Sequence, residues 1–150
     1  MIFRNLYVLA ILAVACVLAA YWMFGHNVTR DYQFAYLGLA RDAGLIENGT
    51  IPAWVPFSAR NINVRHEVKR NERLIRFTYS GNPEWVYRTP CAPARLEQLR
   101  QPRIGASWWP ADIPPRQGRP HSYQLYTCGS LTSAYMAIDR TSDAIYVWIR

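Results

Sequence analysis

The distribution of apolar residues separates one segment from everything after it. From Leu6 to Phe24 the chain reads LYVLAILAVACVLAAYWMF, nineteen residues without a charge. As a helix this run spans ~28 Å, close to the hydrocarbon thickness of a bilayer. Beyond it the pattern breaks into short periodic stretches. Phe34, Leu37, Leu39, Ala40 and Ala43 recur at near-helical spacing, so Asp31 to Ala43 predicts a helix, with Gly44 placed to cap it. Leu45 to Phe57 is interrupted by Gly49, Pro52 and Pro56 and reads as an irregular connector, whose Trp54, Val55 and Phe57 form a lid over the core.

Asn61 to Ser80 alternates instead. Ile62, Val64, His66 and Val68 share one side, Ile75, Phe77 and Tyr79 do the same after a polar turn at Arg70-Asn71-Glu72, and the whole predicts an antiparallel hairpin. Its opposite side carries Arg65, Glu67, Lys69 and Arg76. Gly81 to Pro90 reads as a loop and Pro93 to Arg100 as a short helix with Pro93 in its first turn. Gln101 to Pro120 holds five prolines and Trp108-Trp109 and shows no period; so long an irregular stretch in a small domain is often functional. Three strands follow, over Tyr123 to Cys128, Ser133 to Asp139 and Ala144 to Ile149, the last two joined by a turn in which Asp139 and Asp143 act as turn formers. The expected fold class is α+β: an N-terminal transmembrane helix, then a small domain with an antiparallel sheet of about five strands and one or two helices.

The leading segment decides the compartment. Arg4 precedes the apolar run and Tyr21-Trp22 sit near its exit, an arrangement that keeps the short N-terminus cytoplasmic and sends the rest across. The organisation expected is a signal anchor over residues 1–26 and an exported domain over 27–150, in the bacterial inner membrane with the C-terminal domain in the periplasm. Two alternatives compete. A cleaved signal peptide normally has a shorter apolar core, and Leu12-Ala13-Val14-Ala15-Cys16 resembles a lipobox that would lipidate Cys16, although the apolar run continues beyond it. In each case the domain is exported, and Cys91 and Cys128 form the simplest oxidised pair. On the chain-entropy account such a bond contributes ~3–4 kcal/mol.

Charge changes the picture modestly. The chain holds seventeen basic and ten acidic residues, and Lys69 is its single lysine. Two stretches, Arg60 to Arg76 and Arg88 to Arg119, each carry six basic against two acidic residues. Behind an export signal nucleic acid is not the expected partner; an acidic protein surface or an anionic envelope component is, and a merely solvated basic face is the plain alternative.

Candidate chemistry is sparse. The sequence contains no phosphate-binding or dinucleotide-binding glycine run, no H-E-x-x-H, no C-x-x-C and no G-x-S-x-G. No cofactor, metal site or catalytic residue is assigned. The competing enzyme reading is a small envelope hydrolase using Cys128 as nucleophile or a His66/His121 site. Against it, His66 lies on the inward side of its strand and Cys128 has a disulfide partner available. Trp54, Trp108 and Trp109 fall in loops beside prolines and arginines, where they either anchor an interface or cover a small core. Together with Arg65 and Arg76 they are the candidate interface residues.

The stretch Ile51-Pro52-Ala53-Trp54-Val55-Pro56-Phe57-Ser58-Ala59-Arg60-Asn61-Ile62, followed by His66 and Phe77, resembles a segment of small uncharacterised bacterial exported proteins and lipoproteins, in which a proline-flanked Pro-x-Ser-Ala turn precedes an isoleucine and a hairpin. Val68-Lys69-Arg70 departs from the acidic stretch of that pattern. The resemblance implies an exported domain with this hairpin and carries no activity. The function expected is a membrane-anchored, non-enzymatic module working by protein–protein or envelope contact.

Overall fold

A computed structural model of the chain describes residues 11–21, 28–81, 83–118, 121–129 and 134–150. Seven antiparallel strands form one sheet: β1 (Thr29–Tyr36), β2 (Arg60–Glu67), β3 (Glu72–Thr78), β4 (Cys91–Pro93), β5 (Tyr123–Cys128), β6 (Ala134–Asp139) and β7 (Ala144–Ile149). Their spatial order is β1-β2-β3-β7-β6-β5-β4. Two meanders therefore meet where β3 pairs with β7, with Leu74 opposite Trp148 and Arg76 opposite Tyr146.

The sheet is two strands wider than the sequence pattern predicts. The helix expected over Asp31–Ala43 divides in two. Tyr32, Phe34 and Tyr36 alternate with Asp31, Gln33 and Ala35, and this period of two makes β1, which pairs with β2 through Tyr32 opposite Val64 and Phe34 opposite Ile62. The helix α1 is confined to Leu37–Asp42 and buries Leu37 and Ala40. Gly44, at φ 75°, ends it: its N–H donates to Arg41 O at 2.7 Å and Leu45 N–H donates to Ala40 O at 3.0 Å, a Schellman closure that a glycine accommodates without strain. The helix expected over Pro93–Arg100 also shrinks. Pro93 closes the three-residue strand β4, because Cys91 stands opposite Cys128, and a single 3-10 turn covers Leu96–Gln98. A second 3-10 turn, Pro83–Arg88, lies in the expected loop.

Residues 11–21 are helical and exposed. Among the described residues no helix is long and apolar enough to cross a membrane, and the remainder of the expected span, 6–10 and 22–24, lies outside them.

Both sheet faces carry a core. On the first, Ile62, Val64, Ile75, Phe77, Met136, Ile145 and Val147 pack under α1 and the connector, through Leu37, Leu45, Ile51 and Val55. On the second, Leu74, Leu125, Tyr135, Tyr146 and Trp148 pack under the irregular segment through Leu96, Leu99, Ile104, Trp108, Trp109 and Ile113. Strands covered on both sides need apolar residues at every position, and β6 (AYMAID) and β7 (AIYVWI) have them at nearly all.

Candidate functional site

The second face has two unlike halves. Over β5, β6 and β7 it is apolar and roofed by the proline-rich segment, which side chains of the sheet tie down. Trp148 Nε1 donates to Arg100 O at 2.7 Å, Arg65 Nη1 to Gly105 O at 2.5 Å and Tyr123 Oη to Asp112 Oδ2 at 3.0 Å. Burial and that carboxylate push the Tyr123 hydroxyl pKa up. Trp109 Nε1 donates within the segment, to Ile113 O at 3.1 Å, while its ring meets Tyr146 and Trp148 edge-on. Trp108 packs against Trp109 at 6.0 Å between ring centroids. The two tryptophans pack against the second core and remain half-buried.

Over β1, β2 and β3 the same face is polar. Register places Asp31, Gln33, Asn63, Arg65, Arg76 and Thr78 on it. All six are exposed or half-buried. Arg65 grips Asp31 in a two-pronged pair, Nε to Oδ1 at 2.6 Å and Nη2 to Oδ2 at 2.7 Å. Hydrogen bonding from Arg65 holds the Asp31 carboxyl below its ordinary pKa. Arg76 has no ion-pair partner among the described residues, and its Nε is buried without an acceptor.

Glu67 departs from expectation. Instead of sharing a solvated face it is buried, 4% exposed, opposite Glu72, which is 3% exposed. Each carboxylate is reached by arginine. Glu67 Oε2 accepts from Arg70 N–H at 2.9 Å, with Arg70 Nε at 3.7 Å, and Glu72 Oε1 lies 3.6 Å from Arg103 Nε and 3.9 Å from Arg150 Nε. The Glu72 contacts fasten the roofing segment to the hairpin end. Val68, expected with the inward residues, sits in the turn and is exposed.

The hydrolase constellations do not assemble. Cys128 is bonded to Cys91, as the cysteine count predicts, so it offers no thiolate. His66 is opposite Arg73, Arg73 opposite Ile149, Ile149 opposite Ala134 and Ala134 opposite Cys128, which sets His66 at the Cys128 end of the sheet. His121 precedes Tyr123 at the other end of β5, with three strands between β5 and the β2 of His66, and stacks on that tyrosine. Burial, then the Arg73 charge, lowers the His66 pKa. Among the described residues no group of three His, Cys, Asp or Glu could hold a metal ion. Asp139 closes the β6–β7 turn, accepting from Thr141 N–H at 2.8 Å and Ser142 Oγ at 2.6 Å. Cys16 is a free, exposed thiol in the helical residues 11–21. Trp54 is half-buried over the first core and stacks on Trp85 at 6.4 Å, whereas Phe57, also expected in the lid, is 66% exposed beneath the Arg41 guanidinium.

The fold and this divided face define an antiparallel α+β sheet protein with one internal disulfide and a half-open polar surface. Residues 30–78, forty-nine of the 150, match the family model of the YbbD head domain. That span contains nearly all of β1 and the whole of α1, β2 and β3, and the Ile51–Ile62 stretch falls inside it. Among curated proteins and among solved structures nothing matches the chain.

Proposed function

We propose that the chain is a non-enzymatic binding module of the bacterial envelope, tethered through residues 6–24 as a single-pass inner-membrane anchor, with residues 27–150 in the periplasm. The open polar half of the second sheet face is its recognition surface, and an acidic protein surface is its partner. One observation carries this reading: the roof touches this half through Gly105, which accepts from Arg65, while Gln33 is exposed and Asn63 and Arg76 stay half-buried, with no ion pair to Arg76 among the described residues. Arginine forks beside amide side chains suit a partner that presents carboxylates and backbone groups together. A uniform anionic lipid layer would be served better by an unbroken run of positive charge, and here Asp31 interrupts it. The disulfide supports an oxidising compartment, and the apolar run after Arg4 supports the anchor. Lipidation at Cys16 is the alternative tether.

The test is site-specific photocrosslinking of the full chain in cells, from position 33 or 63, with position 87 as control. Tyr87 is exposed and lies away from this face. The expected result is a discrete protein adduct from positions 33 and 63 that is lost when Arg65→Glu and Arg76→Glu are combined. An adduct pattern shared with position 87, or one indifferent to charge reversal, overturns the proposal. Alkylation of membrane-extracted protein before and after reduction, with its intact mass, tests the tether and decides between an uncleaved anchor and a chain beginning at a modified Cys16.

A further inference from the structure

The first face carries a cavity that the recognition surface does not use. It is a half-open cleft of about 320 Å³ between the connector and the disulfide corner, and Gly49, Pro52, Trp54, Arg73, Pro90 and Gly129 line it. That volume lies at the lower end of the range of small-ligand sites, ~300–1,000 Å³. The lining is mostly apolar, and Arg73 is its one charged side chain.

Arg73 is the unusual member. Its guanidinium is held in place by neutral acceptors: Nη1 donates to Gly49 O at 2.6 Å and Nη2 to Asn71 Oδ1. Asn71 reaches this position from a left-handed backbone, φ 57°, that asparagine tolerates better than most residues. Nε is buried without an acceptor. All ten carboxylates of the chain's aspartates and glutamates lie among the described residues, and none is within ion-pair reach of Arg73. Burial therefore acts on the cation unopposed and lowers its pKa. Arg65, by contrast, has Asp31 beside it. Arg73 as a whole is half-buried, so a charged group of a ligand can still reach its guanidinium.

We propose that this cavity binds a ligand that joins a carboxylate to an apolar or aromatic body, with Arg73 receiving the carboxylate and Trp54, Pro52 and Pro90 receiving the body. Two sources share that chemistry, the free C-terminal residue of a peptide and a small organic acid. The proposal goes beyond the second-face reading and is independent of it, since Arg73 and Arg65 point to opposite sides of the sheet.

The experiment is calorimetric titration of the full-length protein in detergent with three probes: acetyl-Ala-Ala-Phe with a free carboxylate, the same peptide as its amide, and 3-phenylpropionate. The free-acid peptide is expected to bind at least about tenfold more tightly than the amide, because a charge-assisted contact is lost in the amide. Arg73→Gln should bring the acid down to the amide, and Trp54→Ala should weaken acid and amide alike. A peptide acid tighter than 3-phenylpropionate identifies a polypeptide end as the source, and the reverse order a free small acid. Equal affinity of acid and amide for the native chain, or no heat from any probe at millimolar concentration, overturns the proposal. That comparison needs no variant, so it stands even if Arg73→Gln fails to fold. Loss of the crosslink on charge reversal at Arg65 and Arg76, with acid binding intact, would separate the two surfaces.

Discussion

The two halves of the second face are built on the same sheet, yet one is roofed and the other open. β7 presents Ala144, Tyr146 and Trp148 to that side, while β2 presents Asn63, Arg65 and Glu67. The first faces of the two strands are alike: Ile62 and Val64 in one, Ile145 and Val147 in the other. A strand that is apolar at successive positions must be covered twice, and one that alternates is covered once. The difference lies in what the strand asks of the rest of the chain. The residues between β4 and β5 answer for the first kind, and they meet the second through Gly105, which accepts from Arg65.

Breaking the roofed half should have the largest effect. Trp148 is fully buried, packs against Trp109 and Tyr135, and holds the roof through Arg100. Trp148→Ala is expected to cost about 3–5 kcal/mol in denaturant unfolding. Replacing Cys91 and Cys128 by serine removes the bond across a separation of 37 residues and should cost about 3 kcal/mol. Glu72→Gln weakens the tie to Arg103 and Arg150 and should cost about 1–2 kcal/mol, with faster proteolysis within 94–118 as its local signature. In the open half, Asp31→Asn should change stability by less than about 1 kcal/mol, since the pair is solvent-exposed. The folded carboxyl titrates below its unfolded value, so the contribution of the pair is present above the ordinary aspartate range and lost as pH falls through the folded value. The smallest effect belongs to His66. Its lowered pKa favours the neutral ring, so folding should weaken as pH drops below the ordinary histidine value, and His66→Gln should flatten that slope. An open half as sensitive to truncation as the roofed half would erase the distinction.

Much of this was legible in the residues. The hairpin and its inward Ile62, Val64 and His66 follow from alternation and turn chemistry, and the ranges expected for β5 and β7 match those observed. The disulfide follows from cysteine number. β1 was hidden because its aromatic alternation runs straight into α1, and Phe34, Leu37 and Ala40 mimic a helical stripe across the junction. β4 was hidden because three residues carry no period. The doubly apolar β6 and β7 did hold a signal for the roof: such strands require a second cover, and the proline-rich segment was the stretch left to supply it. The cavity at Arg73 lay beyond reach, because an arginine without a counter-charge is recognisable only once every carboxylate has a position.

The strand order has a consequence for how the sheet is held together. β1-β2-β3 and β4-β5-β6 each pair in chain order, and β7 alone is hydrogen-bonded to both groups. Residues 144–149 are therefore a zip fastener between two half-sheets. In chain order the strands of the polar half come before β7, so the two half-sheets can join only once residues 144–149 are in place.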